Sequence, residues 1–308
     1  MGKASRTKSD VSRRERIAAQ RAAERRAERR RRILIASGSV LVVVAVVLAL
    51  VLVKITSSNS PSGTSAPNGP TGAALAAVTA KVTSVPASTL AAVGSGGGAV
   101  TNPPKSISGP PLTSGGKPEM LYIGAEYCPY CAAERWAMIV ALSRFGTFSG
   151  LAAMHSAAAD GAGNAEPFPN TPTFTFAHAS YSSTYLTFTP VEQYTNIPDK
   201  STGFYTTLMT PTKAQQALID KYDAANSGAI PFIDFGNKYM IAGASYSNSV
   251  LSGLSWSQIA SDLSNPGSPV AKAIDGTANY ITAAICSMTG NQPASACTAT
   301  VRSLEGQL

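Results

Sequence analysis

Two cysteines, Cys128 and Cys131, stand in the string Tyr127-Cys128-Pro129-Tyr130-Cys131 and are the residues of this chain best placed to do chemistry. Thiols at that spacing lie about one helical turn apart and can close to a disulfide and reopen. The thiolate is the reactive form, so the site must stabilise negative charge. The neighbouring sequence supplies a place for it. Met120, Leu121, Tyr122 and Ile123 are consecutive apolar residues and predict a strand over 119–124 buried on both faces. Residues 132–145 then predict a helix. Cys128 falls at the start of that helix, where free N–H groups and the dipole favour a thiolate. Cys131, one turn on, is expected to be more covered. Pro129 suits an opening turn because it lacks the N–H that would be orphaned there. Tyr127, Pro129 and Tyr130 would line a substrate groove. Glu126 and Glu134 flank the motif; they read as solvated acids beside a helix start, with thiolate modulation or proton relay as the alternative. Arg135 and Trp136 fall inside the helix, Trp136 as core.

A cysteine pair between a buried strand and a helix is similar to the thioredoxin-type arrangement. A second feature agrees. Ala229-Ile230-Pro231 leads into Phe232-Ile233-Asp234-Phe235, then Gly236-Asn237, then residues 238–242. Gly-Asn predicts a two-residue hairpin turn, and proline is tolerated at a strand's first residue. In thioredoxin-like proteins a cis-proline starts this hairpin and faces the cysteine pair. The resemblance therefore implies a cis bond at Ile230–Pro231, with both residues in the groove.

The other elements predict a helix-covered sheet. Thr210 and Pro211 read as the N-cap and first position of a helix running to about residue 225. Ser255-x-x-Gln258 is a capping box, with Leu254 and Ile259 spaced as a hydrophobic staple. Ser268-Pro269 opens a long helix with Val270, Ile274, Ala278, Ile281, Ile285 and Met288 on one stripe. The β-rich stretches 151–156, 173–177 and 185–189 exceed what a minimal fold needs and predict an insertion near the active face. The expected class is α/β: a thioredoxin-like fold with a β-rich insertion and extra C-terminal helices, preceded by one transmembrane helix.

The N-terminal third supplies that span. The run 33–53, opening at Ile33 and closing at Val53, contains only Ile, Leu, Val, Ala, Ser and Gly. At about 1.5 Å per residue it covers a bilayer core of about 30 Å. Residues 1–32 carry 13 Lys/Arg and 4 Asp/Glu, whereas the rest carries 12 and 13. Positive-inside bias keeps such an N-terminus cytoplasmic and places the body outside. The charge also removes nucleic acid as a partner: the body is near-neutral, and the basic tail has no interleaved aromatics for stacking. Residues 56–72 hold only Thr, Ser, Asn, Pro, Gly and Ala and read as a spacer. Residues 88–93 predict a short helix ending at Gly94. The expected organisation is a basic cytoplasmic tail (1–32), a transmembrane helix (33–55), a flexible linker (56–74) and an extracytoplasmic domain (75–308).

Cys286 and Cys297 are the remaining cysteines. In an oxidising compartment they read as a structural disulfide, with an electron relay to Cys128 and Cys131 as the alternative. A zinc site from all four cysteines is a third reading, but a ribbon prefers two C-x2-C knuckles and this chain has one. His155 and His178 read as surface or satisfied polar residues. No metal or cofactor is expected.

From Gly116 onward the chain resembles the thioredoxin-like proteins catalogued as domain of unknown function 929. The resemblance rests on the run from Tyr122 to Cys131, Arg135-Trp136, Ile230-Pro231-Phe232-Ile233-Asp234, Gly243-Ala244-Ser245-Tyr246, Ser255-Trp256 and Thr277-Ala278-Asn279-Tyr280-Ile281. Cys-Pro-Tyr-Cys is also similar to glutaredoxins. Their Gly-Gly-x-x-Asp-like glutathione segment has no counterpart here, where Ala242-Gly243-Ala244-Ser245 follows the hairpin. The implied function is a membrane-anchored thiol–disulfide oxidoreductase with protein thiols and disulfides as substrates and a membrane protein as redox partner. The alternative is a non-enzymatic binding module with structural disulfides.

Overall fold

The structure is a computed structural model that describes residues 69–226 and 228–308. The basic tail, the expected span and residues 56–68 of the expected linker lie outside the described residues. Among the described residues no single helix is long and apolar enough to cross a membrane.

The elements run α1 (Gly72–Thr83), α2 (Ala87–Val93), β1 (Lys105–Ser106), β2 (Thr113–Ser114), β3 (Lys117–Gly124), α3 (Pro129–Leu142), β4 (Gly146–Ser149), β5 (Ala152–His155), β6 (Pro172–Thr175), β7 (Ser180–Ser183), β8 (Thr187–Glu192), β9 (Tyr194–Asp199), β10 (Phe204–Thr207), α4 (Lys213–Tyr222), β11 (Phe232–Phe235), β12 (Tyr239–Ala242), α5 (Trp256–Asp262), α6 (Pro269–Met288) and α7 (Ala299–Glu305). The class is mixed α/β, with seven α-helices among the described residues. The main sheet is mixed and has six strands. Its path is β1-β12-β11-β3-β2, with β8 also paired to β3. β11 runs antiparallel to β3, and β8 runs parallel to it.

β3 is central because both of its faces are covered, as its unbroken apolar run predicts. Met120 and Tyr122 point into the larger core with Ile233, Phe235, Trp136 and Ile281. Leu121 and Ile123 point the other way, against Phe232, Val191 and Ile219. The register agrees with this period of two: Ile233 faces Tyr122 and Phe232 faces Ile123. Each fully buried side chain of this kind contributes roughly 1.5–3 kcal/mol.

Several expectations shift. β8 is not part of an inserted ribbon; it joins the main sheet alongside β3 from Glu119 to Gly124. The other strands between α3 and α4 form two-stranded pairs: β4 with β7, β5 with β6 and β9 with β10. The α4 cap is Thr212 rather than Thr210, and the helix ends at Tyr222. Thr212 wins because Gln215 completes a reciprocal capping box with it. The β11–β12 turn has three residues, not two: Phe235 pairs with Tyr239, leaving Gly236, Asn237 and Lys238 in the loop. Gly236 and Asn237 both take positive φ, +66° and +58°, which suits this residue pair. The first helix opens at Gly72, ahead of the expected domain start. The capping box at Ser255 and Gln258 is present.

α6 is buried well beyond one stripe. Asp275, Gly276, Thr277, Asn279 and Thr282 are covered along with its aliphatic residues, because α3, α2, α7 and β11 pack around it. Gly276 permits the close approach of the turn that follows α2: a Cβ there would lie 2.7 Å from the Gly96 Cα.

Candidate functional site

The strand–cysteine–helix junction forms as the sequence predicts. Cys128 is the N-cap of α3, in an extended conformation (φ −71°, ψ 122°), with Pro129 in the first turn. The Cys131 N–H donates to the Cys128 Sγ at 3.3 Å. This is the capping geometry of a serine or aspartate with sulfur in the oxygen's place. Both cysteines are free thiols. Cys128 is 4% exposed and Cys131 is fully covered. Burial pushes the Cys128 thiol up, but the hydrogen bonds from Cys131 and Tyr130 and the Arg135 charge outweigh it, and the net direction is down. Burial pushes the Cys131 thiol well up, and the hydrogen bond to Cys128 adds to it. The pair thus carries one thiol disposed to ionise and one that holds its proton.

The hairpin closes over the pair. Ile230–Pro231 is a cis peptide, and the Cys128 Sγ lies 3.7 Å from the Ile230 carbonyl oxygen. Gly243 N–H donates to the Pro231 carbonyl at 2.8 Å, which ties the turn to the loop after β12. That loop runs along α3. Asn248 Nδ2 donates to the Pro129 carbonyl at 2.5 Å, and the Tyr246 hydroxyl donates to the Ala133 carbonyl at 2.6 Å.

The structure gathers Ala125, Cys128 and Cys131 into one buried cluster, with Tyr127, Tyr194 and Ile230 packed against it. Tyr127 stacks on Tyr205 at 4.1 Å and meets Tyr194 and Phe204 edge-on. The Tyr127 ring is thus built into the β9–β10 ribbon. Tyr130 is 39% exposed and meets Phe168 edge-on at 6.0 Å. Pro129 is buried. Tyr194, Phe204 and Tyr205 were not anticipated, because an aromatic in a short polar strand carries no mark of the element it will meet.

The two flanking acids are not solvated, which corrects that expectation. Glu134 is fully buried and accepts from the Ser245 N–H and hydroxyl, each at 2.9 Å. Burial raises its carboxyl to about 7 against the pull of those two bonds. Glu126 is half-buried and accepts from Thr175 at 2.6 Å; burial raises its carboxyl too. Arg135 is fully buried and forms a fork to Glu192, with Nε to Oε1 at 2.9 Å and Nη2 to Oε2 at 2.7 Å. Its Nη2 also donates to the Ala125 carbonyl at 2.7 Å. Trp136 is fully buried, as expected, and its Nε1 donates to the Pro172 carbonyl at 2.8 Å. No sequence signal pairs Arg135 with Glu192, since the two lie 57 residues apart.

Cys286 and Cys297 form a disulfide with a Cα separation of 5.7 Å, and both residues are fully buried. A four-cysteine metal site is therefore not assembled. Among the described residues no group of three or more His, Cys, Asp or Glu is arranged to hold a metal ion. His155 packs edge-on to Trp256 at 4.4 Å, and His178 is exposed.

A family model described as a domain of unknown function, DUF929, matches residues 104–287, more than half of the chain. The chain belongs to the DUF929 family. The matched segment of this DUF929 chain includes β3, the cysteine pair, Glu192, the cis peptide and Cys286, and it stops ahead of Cys297. No curated protein and no solved structure matches the chain.

Proposed function

We propose that this chain is a thiol–disulfide oxidoreductase of thioredoxin-like fold, anchored to a membrane by residues 33–53 and facing the extracytoplasmic side. The observation that carries the reading is the environment of the two thiols. Cys128 caps α3, accepts the Cys131 N–H and faces the cis peptide, while Cys131 lies covered one turn on. The parallel β3–β8 pair, the antiparallel β3–β11–β12 hairpin and the helices on both sheet faces support the fold assignment.

In the reducing direction the Cys128 thiolate attacks one sulfur of a substrate disulfide. The substrate S–S bond breaks, and a mixed disulfide forms as one substrate thiolate leaves. Cys131 then passes its proton to water or to the departed substrate thiolate and attacks the Cys128 sulfur. This closes the Cys128–Cys131 bond and releases the second substrate sulfur, so two electrons have passed to the substrate. The oxidising direction is the reverse. Protein thiols and disulfides are the substrates, exposed Tyr130 and half-buried Ile230 border the approach to Cys128 with Pro231 buried behind them, and a membrane protein resets the pair. No cofactor takes part.

Trapping tests this. With Cys131→Ser, the full-length chain should accumulate a mixed disulfide with a substrate such as insulin; with Cys128→Ser it should not. Absence of any adduct in the Cys131→Ser chain overturns the reading. The near-complete cover of Cys128 favours one competitor, a binding module whose thiols never meet a substrate, and that outcome would support it.

A further inference from the structure

The proposed resolving step needs a thiolate at Cys131, yet that sulfur is fully covered. Ionising a buried group is costly unless opposite charge lies near it. The spacing of α3 places such a charge. Cys131 and Arg135 are four residues apart and share a helix face. Arg135 Nη2 is held by the carbonyl of Ala125, and Ala125 packs with Cys128 and Cys131 in one cluster. We propose that Arg135 is a positioning residue for the cysteine pair: clamped by Glu192 and Ala125, its guanidinium holds the Cys131 thiolate while the mixed disulfide is resolved.

Two features of the site and one general argument support this. Arg135 acts on both thiols in the lowering direction, opposing the burial that raises them. Its Nη1 is buried with no hydrogen-bond partner, so Glu192 and Ala125 do not use up its donors. Stability gives no sufficient reason for the pair, since replacing a buried ion pair with well-packed apolar residues is often neutral or stabilising. The charged and titratable groups around the guanidinium are Glu192 from β8, Tyr122 from β3, Glu126 ahead of α3 and the two thiols. Tyr122 keeps its proton, because burial raises it well above its ordinary value. Glu192 is the anion paired to Arg135, and it weakens the guanidinium's pull on the sulfurs.

The inference rests on the proposed oxidoreductase reading, and its test separates the two. Iodoacetamide labelling of each thiol is followed against pH in the full-length reduced chain in detergent, and the lifetime of a trapped mixed disulfide is measured beside it. Removing both charges (Arg135→Met with Glu192→Gln) leaves no lone buried ion. It should raise both labelling midpoints by about one pH unit, a tenfold loss of labelling below the midpoint, and lengthen the mixed-disulfide lifetime by a similar factor. Glu192→Gln alone should shift the midpoints down and shorten the lifetime. A purely structural pair would not produce shifts of opposite sign. If the double variant does not fold, Arg135→Gln with Glu192→Gln, which also leaves no lone buried ion, takes its place with the same expected rise. Midpoints within about 0.3 pH unit of wild type, a twofold change in labelling, in whichever neutral-pair variant folds overturn the inference. Absence of disulfide exchange in the wild-type chain overturns the underlying reading, and the labelling midpoints still report on Arg135.

Discussion

Replacing both Cys286 and Cys297 with alanine should destabilise the fold and leave thiol chemistry at Cys128 intact. The bridge joins the last turn of α6 to the segment leading into α7, across a sequence separation of 11. In the chain-entropy model a loop of that size contributes about 3 kcal/mol. For a domain of this size about 1 kcal/mol moves Tm by roughly 2–4 °C, so Tm should fall by about 6–12 °C. Other contacts also hold the segment: Arg144 Nη2 donates to the Ala296 carbonyl at 2.8 Å, and Val301 and Leu304 of α7 are buried in the larger core. They keep the C-terminal helix docked after the bridge is gone, so the variant should fold. Thermal unfolding followed by far-ultraviolet circular dichroism gives Tm, and insulin reduction gives activity. A Tm within 2 °C of wild type would refute the loop-entropy argument. A folded variant without activity would refute the structural assignment and make the pair an electron relay.

Other expectations follow from buried acids and from charge asymmetry. Neither carboxylate oxygen of Asp275 has a partner, and burial raises the group to about 8. Its folded-state value lies above its unfolded one, so its contribution is fully present below about pH 4 and lost as pH rises towards about 8. Asp275→Asn should therefore remove a slope of at most about 1.4 kcal/mol per pH unit from stability over that window; identical pH profiles in urea unfolding would contradict this. The charge difference across residues 33–53 predicts an extracytoplasmic domain. Protease added to intact, wall-stripped cells should degrade it, and full protection would reverse the topology.

The elements nearest the cysteines were legible because their signals are local. Four apolar residues in a row, a cap position followed by proline, and a proline ahead of an alternating hairpin each act within a few residues. The pairing of Cys286 with Cys297 was legible because these are the two cysteines outside the Cys128–Cys131 motif and they lie only 11 residues apart. What escaped depends on partners far away. Glu134 looked solvated because a glutamate is rarely buried alone. Its partner, Ser245, lies 111 residues on. Arg135 and Glu192 hid one another for the same reason: neither shows in sequence that the other will cancel its charge. β8 looked like part of an insertion because a short strand does not declare its neighbour. The cap at Thr212 and the extra turn residue at Lys238 are shifts of one or two residues, decided by which side chain completes a reciprocal bond and which strand pair closes. The span and the tail rest on sequence alone.

The most direct test of the central claim is the pH profile of alkylation at the two thiols in the reduced, full-length wild-type chain. Thiolates at helix starts titrate at roughly 3.5–7.5. The cap geometry and the opposite directions of the two thiols predict that iodoacetamide labels Cys128 first, with a midpoint below that of an ordinary cysteine, while Cys131 labels only at a pH above an ordinary cysteine's midpoint. Preferential labelling of Cys131, or a Cys128 midpoint at or above that of an ordinary cysteine, would contradict the account.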